Sequence, residues 1–317
     1  LRNRLGAMIL LACLGASLGY AVIGAYSASG PLPDKADIVV PRGGLAAVAD
    51  ALRAGHVVNS VMEFRVFALA TAWQGPLRAA ELSFPAHAGI ATVLAVLRNG
   101  RPVEHLLTIP EGVTSARIAT LLAETSGLSG EIDVPREGSV LPQTYAYERG
   151  ASRLSVIRRG QEAMARALAR AWAARAPGLS LHDVRDLLIL SSLVERETHL
   201  AAERPVIARA FYNRLQKGMR LQSDPTVAYA ESGGTEELPS GLTRSALERV
   251  GPYNTYAGAG LPAGPICNPG IASIEAAAHP AESSALYFVA DGAGGHIFSD
   301  SLAEHARNVE RYRHLPR

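Results

Sequence analysis

Two carboxylates, Glu195 and Glu197, arrive together at the end of a strongly apolar run, Leu187-Leu188-Ile189-Leu190-Ser191-Ser192-Leu193-Val194. Helical spacing separates them. Glu197 falls on the stripe of Leu190, Leu193 and Val194, whereas Glu195 lies over Leu188, Ser191 and Ser192, a more polar stripe. Glu197 is therefore the one expected to project from an apolar floor. Burial disfavours its charged form, and the partial negative charge at a helix C-terminus acts in the same direction. A glutamate ordinarily titrates near ~4.3, and a shift to about 6 is the pattern of a general acid that protonates a leaving glycosidic oxygen. The bland alternative is a helix-end glutamate paired at the surface with Arg196, Arg204 or Arg209, an interaction worth about 1 kcal/mol or less.

The elements that must position this pair can be read on both sides of it. Ser180, with Asp183 three residues on, predicts the start of the helix that carries both carboxylates. The next helix is expected from Ala201, with Pro205 in its first turn, an apolar face of Ile207, Ala210, Phe211 and Leu215, and a stop at Lys217-Gly218. Three polar loops follow, at residues 219–229, 253–256 and 260–270. They mix Tyr, Asn, Gln, Asp and Thr with Gly and Pro turns. Saccharides need that mixture, with flat faces to stack on and amides and hydroxyls to bond their OH and acetamido groups. The candidate contacts are Glu195, Gln222, Asp224, Thr226, Tyr253, Asn254 and Tyr256, each of which alone is as readily structural.

Upstream, residues 5–26 carry no charge and follow Arg2 and Arg4. Roughly 20 apolar residues cross a bilayer core, and the arginines favour the cytosolic side, leaving the rest of the chain outside. A cleaved signal peptide and lipid attachment at Cys13 are the alternatives, and both also place the remaining chain outside the cytosol. Residues 27–36 read as a polar linker. A β-like run ending in proline, a turn and a helix then recur three times, at Ile38-Val39-Val40-Pro41, Leu82-Ser83-Phe84-Pro85 and Leu107-Thr108-Ile109-Pro110. The last two copies carry apolar residues eight, eleven and twelve positions after the proline (Val93, Val96, Leu97; Ile118, Leu121, Leu122), which is helical spacing with one face inward. Such units can pack on a shared sheet, with or without a binding role. Residues 128–150 are loop-rich, and a long helix is expected over 152–175 before Pro177-Gly178 breaks it.

Composition excludes several classes. With 31 basic and 29 acidic residues and a net charge of +2, the chain has no basic block of the kind nucleic-acid binders use. Its two cysteines, Cys13 and Cys267, form no CxxC, and its histidines form no HExxH, so neither a metal nor another cofactor is expected.

The segments LVERETHLAAER, FYNRLQKGMRLQSDPTVAY, GPYNTY, GLPAGPICNPG and YFVADGAGGHIFS, together with the TIPEG turn, resemble the YceG-like family of endolytic murein transglycosylases. Arg196-Glu197-Thr198 is also similar to the Arg-Glu-Ser/Thr step around the catalytic glutamate of goose-type lysozymes and other lytic transglycosylases. The resemblance implies an α+β fold: a transmembrane anchor over residues 1–26, the linker, a LysM-like module over 37–106 and a catalytic domain over 107–317. It implies cleavage of the MurNAc–GlcNAc bond within nascent peptidoglycan strands, with 1,6-anhydro ends, Glu197 as acid/base, and the wall-synthesis machinery in attendance at the inner membrane. A lysozyme-like hydrolase and a non-catalytic glycan-binding scaffold are the competing readings. The resemblance is loosest over residues 54–80, and it assigns no role to His279, which reads as a structural turn.

Overall fold

A computed structural model describes residues 2–235 and 241–315, with side chains in the first helix from Met8 onward. The fold is mixed α+β. The helix α1 (Arg2–Ser27) contains a 20-residue stretch, Met8–Ser27, long and apolar enough to cross a membrane, and it is unburied throughout that stretch. The chain then divides into two compact units, Leu1–His105 with Ala146–Gly150, and Leu106–Tyr145 with Ala151–Arg317.

The first unit is built from β1 (Ala36–Val39), α2 (Leu45–Ala54), α3 (Val61–Ala70), β2 (Glu81–Phe84) and α4 (Ile90–Asn99). β1 and β2 pair antiparallel, with Ala36 opposite Phe84 and Val39 opposite Glu81. Leu52, Phe64, Leu82, Phe84, Val93, Leu94 and Leu97 are fully buried between this hairpin and the helices. The recurring strand–proline–helix pattern does yield a strand and a helix each time, but not on one shared sheet. The third strand, β3 (Glu104–Thr108), pairs instead with β4 (Thr144–Glu148). On the side of β2 away from β1, Leu82 and Pro102 form an isolated bridge. Proline has no N–H to extend that ladder.

The second unit contains α5 (Ser115–Glu124), α6 (Arg153–Ala174), α7 (Val184–Glu197), α8 (Arg204–Gln216), α9 (Asp224–Ser232), α10 (Arg244–Glu248), α11 (Ile271–Ala278), the hairpin β5 (Tyr287–Ala290) and β6 (His296–Ser299), and α12 (Leu302–Arg313). α11 packs on α6, α7 and α8. Leu187, Leu190, Leu193, Val194, Ile207, Phe211 and Tyr212 from α7 and α8 fill the centre.

α7 starts later than Ser180 predicts. Its N-cap is Asp183, whose carboxylate accepts from the Asp186 N–H at 2.9 Å. α8 likewise starts at Arg204, with Pro205 in its first turn, and it closes through Gly218 at φ +64°. The polar stretch after it is only partly loop. From Asp224 it becomes α9, because Pro225 in the first turn presets φ for a helix and the acidic Asp224 suits a helix N-terminus.

Leu193 anchors α7 from below with no exposed surface. Leu193→Ala should lower unfolding stability by about 3 kcal/mol, whereas Leu302→Ala, at a position 65% exposed, should change it by less than about 0.5 kcal/mol. Urea titrations of the two variants give the comparison.

Candidate active site

The last turn of α7 delivers both glutamates, and the structure gives them different surroundings. Glu195 points into the protein and is only 4% exposed. One carboxylate oxygen meets the Arg204 guanidinium at 3.3 Å, and the other accepts the Gly270 N–H at 2.9 Å. The serines of its stripe, Ser191 and Ser192, are fully buried as well, each hydroxyl bonding back to its own helix at 2.7 Å. The polar stripe of α7 thus faces inward, and Glu195 clamps α7 to α8 and to the residue that opens α11.

Glu197 is the last residue of α7, with Thr198 as C-cap. It keeps some contact with solvent, but its carboxyl lies among protein atoms. The Ser223 hydroxyl donates to its Oε1 at 2.5 Å. Burial is the largest influence on its titration and raises it from an ordinary 4.5 to about 7. The Ser223 hydrogen bond opposes the shift, the negative charge of Asp224 adds to it, and His296 and Arg214 oppose it from further off. At neutral pH this carboxyl is poised between its acid and base forms.

The remaining predicted contacts gather on the segments facing α7. Gln222 sits at φ +48°, exposed, with its N–H donating to the Thr255 carbonyl at 3.1 Å. Asp224 is exposed and accepts from the Tyr256 hydroxyl at 2.5 Å. Thr226 is buried; its hydroxyl donates to the Ser223 carbonyl at 2.7 Å and lies 2.9 Å from the Thr255 hydroxyl. The Thr255 hydroxyl also accepts the Ser223 N–H at 2.9 Å. These bonds fix the backbone that aims Ser223 at Glu197. Asn254 is 5% exposed and staples its own loop, donating to the Arg249 carbonyl at 2.6 Å and accepting the Tyr256 N–H at 2.8 Å. Tyr253 stacks at a tilt on Tyr229, with centroids 5.0 Å apart, and stays partly exposed.

Three contributors lie outside the predicted set: Ser223, His296 and Arg214. Ser223 is one residue before Asp224, and only its side-chain direction singles it out. His296, on β6, lies far off in sequence and reaches the site through a chain of bonds. Its Nδ1 is 2.8 Å from Glu203 Oε2, which also accepts from the Thr198 hydroxyl at 2.9 Å. Burial pushes Glu203 upward, but these bonds outweigh it and hold its carboxylate below the usual range. Apart from this site, the half-buried Glu137 accepts from the Ser115 N–H at 2.9 Å, Asn268 Nδ2 at 3.0 Å and the Tyr229 hydroxyl at 3.2 Å. Burial raises its pKa despite those bonds.

His279 is the C-cap of α11, its N–H donating to the Glu275 carbonyl at 2.8 Å. It lines a cavity of about 730 Å³ among α6, α8 and α11 that contains none of the groups around Glu197. Among the described residues no cluster of three or more His, Cys, Asp or Glu is arranged to hold a metal ion.

The sequence profile of the YceG-like family matches residues 38–311. The chain belongs to the YceG-like family. It is 37% identical over 178 residues to an endolytic murein transglycosylase of Bacillus subtilis, covering 56% of this chain and 48% of that protein. A Streptococcus pneumoniae protein of the same name is 32% identical over 179 residues, covering 56% of this chain and 32% of its own length. Each match spans less than half of the relative. The crystal structure of a YceG-like protein from Listeria monocytogenes superposes with a TM-score of 0.53 at 29% identity, covering 87% of this chain and 99% of that one.

In this YceG-like chain the neighbours of Glu197 should tune it with opposite signs. A ¹³C-carboxyl titration should place Glu197 near 7, move it up in Ser223→Ala and in His296→Gln, and move it down in Asp224→Asn. The raised folded pKa means that the native state binds the extra proton between pH 4.5 and 7, so stability falls as pH rises through that window. Glu197→Gln should therefore melt higher than wild type at pH 8, by no more than about 3 kcal/mol, and close to it at pH 4.

Proposed function

We propose that this chain is an endolytic lytic transglycosylase that cleaves the MurNAc–GlcNAc bond within peptidoglycan strands. The observation that carries the proposal is the Glu197 carboxyl, buried, bonded to Ser223 and titrating near 7. The names of the Bacillus and Streptococcus relatives agree with it.

Glu197 in its acid form protonates the glycosidic oxygen as the bond to the anomeric carbon breaks. The carboxylate left behind takes the proton from the C6 hydroxyl of the same muramic acid. That oxygen attacks the anomeric carbon and closes a 1,6-anhydro ring. One group serves as acid and then as base, no water is consumed and no cofactor takes part. Gln222, Asp224, Tyr253 and Tyr256, all with some surface open to solvent, are assigned to the saccharide. Glu195, Thr226 and Asn254, which are buried and bonded to the protein, are assigned to holding the cleft.

The surrounding organisation is part of the same reading. α1 anchors the chain in the inner membrane with its N-terminus in the cytosol, and residues 27–36 serve as a short linker held against the first unit. Residues 37–106 form a LysM-like module, and residues 107–317 form the catalytic domain outside the cytosol. Nascent glycan strands are the substrate, and the wall-synthesis machinery is the company expected.

Digestion of purified peptidoglycan followed by mass analysis of the sugar ends tests the activity. Wild type should yield anhydro ends, lighter by one water than reducing ends, and Glu197→Gln should be slower by about 10²–10⁴-fold. Reducing ends would make the protein a hydrolase. Undiminished cleavage by Glu197→Gln would remove this residue from the mechanism. Because the acid form is required, turnover should decline as pH rises above about 7.

A further inference from the structure

α3 is apolar on two sides. Phe64 and Ala68 face the core at 0% and 5% exposure, while Met62, Val66, Leu69 and Trp73 stand out at 67%, 55%, 66% and 83%. Met62, Val66 and Leu69 follow one another at intervals of four and three residues and form one outward stripe of α3, and Trp73 stands out from the turn just after it. A helix with one face in a core ordinarily turns a polar face outward, yet between Glu63 and Arg65 the outward side of this one carries an apolar stripe. Trp73 lies just beyond the helix, in a turn that the fold holds firmly. Arg98, only 6% exposed, donates to the Thr71 carbonyl at 3.0 Å, the Thr71 hydroxyl at 2.9 Å, Gln74 Oε1 at 2.9 Å and the Gly75 carbonyl at 3.1 Å. A buried guanidinium thus fixes the turn that turns an indole outward.

The second observation is where α1 leaves off. The Tyr26 ring packs against Phe67 of α3, with centroids 5.0 Å apart. The exit segment is pinned to the same body, with the Gly30 N–H donating to the His87 carbonyl at 3.1 Å and the His87 N–H to the Leu32 carbonyl at 2.7 Å. The backbones approach so closely that a Cβ at Gly30 would lie 2.0 Å from the Ala88 carbonyl oxygen, and one at Gly89 2.3 Å from the Ala28 carbonyl oxygen. The exit of α1 and the stripe on α3 therefore belong to one rigid packing arrangement. If α1 crosses a bilayer, its C-terminal end lies at the lipid–water interface, where Trp and Tyr concentrate.

We propose that Met62, Val66, Leu69 and Trp73 form a membrane-interface patch that seats the first unit on the bilayer surface beside the exit of α1. The partner is the headgroup–acyl boundary of the membrane. Arg65, exposed and three residues after Met62 and four before Leu69, borders the stripe and offers a charge to anionic headgroups. The patch rests on the reading of α1 as an anchor. It restricts the tilt of the unit, which a single helix with a free linker does not.

The test uses the full chain in nanodiscs of phosphatidylglycerol and phosphatidylethanolamine. Trp73 emission is obtained as the difference between wild type and Trp73→Phe, which leaves Trp172 untouched. Cys13, in α1, reports on the anchor through its reaction with an aqueous maleimide, since Cys267 is fully buried. The expected result is an unreactive Cys13 with Trp73 emission quenched about twofold by acyl chains brominated near the headgroup and little affected by acrylamide. An unreactive Cys13 with Trp73 open to acrylamide and blind to brominated lipid overturns the patch and leaves the anchor standing. Trp73 shielded from both quenchers means that a protein or a second copy covers the stripe, which also overturns it. A reactive Cys13 removes the anchor, and the patch falls with it.

Discussion

A carboxyl group resists ionising when it must do so among protein atoms instead of water, and the site around Glu197 depends on that resistance. The Ser223 hydroxyl pulls the other way, since a hydrogen bond to the carboxylate favours the charged form. Asp224 and His296 then trim the balance with opposite signs. The outcome near 7 is thus a difference between a large burial cost and several smaller attractions. The attractions come from separate elements, Ser223 from the turn before α9, His296 from β6 and Arg214 from α8, while Asp224, the first residue of α9, repels the charge and adds to the burial cost. The tuning requires all of them to converge on the end of one helix.

Convergence requires that the end of α7 stay put, and Glu195 supplies that. It is chemically the same group as Glu197 and sits two residues away, yet its partners are Arg204 and the Gly270 N–H, and it is sealed from solvent. A buried ion pair adds little net stability, because desolvation offsets the attraction, but losing one partner strands the other charge at a cost of roughly 3–5 kcal/mol. The pair therefore favours geometry over stability. Position on the helix decides the division of labour: Glu195 still has α8 and α11 packed over it, and Glu197 is the last residue of α7, with some surface open to solvent.

How much of this was legible in the sequence follows from the range of the forces involved. The apolar run of α7, the proline in α8, the Gly218 stop and the apolar α1 are local signals, and they read correctly to within a few residues. Asp183 displaced Ser180 as the cap because both are good caps and only the folded geometry chooses between them. α9 was hidden by its polar composition, since most of its residues are not core-facing and no apolar stripe announces it. The three strands were visible one by one, but their partners were not, because pairing joins residues far apart in the chain. The same holds for the site: Glu197 could be picked from its own helix, whereas His296 acts on it across roughly 100 residues and leaves no periodic trace.

A pKa near 7 is the natural value for one carboxyl that must act twice in the proposed reaction. At pH 7 an ordinary glutamate titrating at 4.5 is protonated in only about one molecule in 300. Moving it to about 7 raises the acid fraction to about half, a gain of roughly 150-fold in molecules able to begin the cleavage. Pushing it higher would gain at most another factor of about two in acid form, while the buried group would weigh further on folding as pH rises. A conjugate base of still higher pKa is also harder to unload in the step that follows. The burial that raises the group and the Ser223 bond that restrains it therefore work toward the same end: the first makes the acid available, and the second keeps its carboxylate stable enough to exist between the two proton transfers.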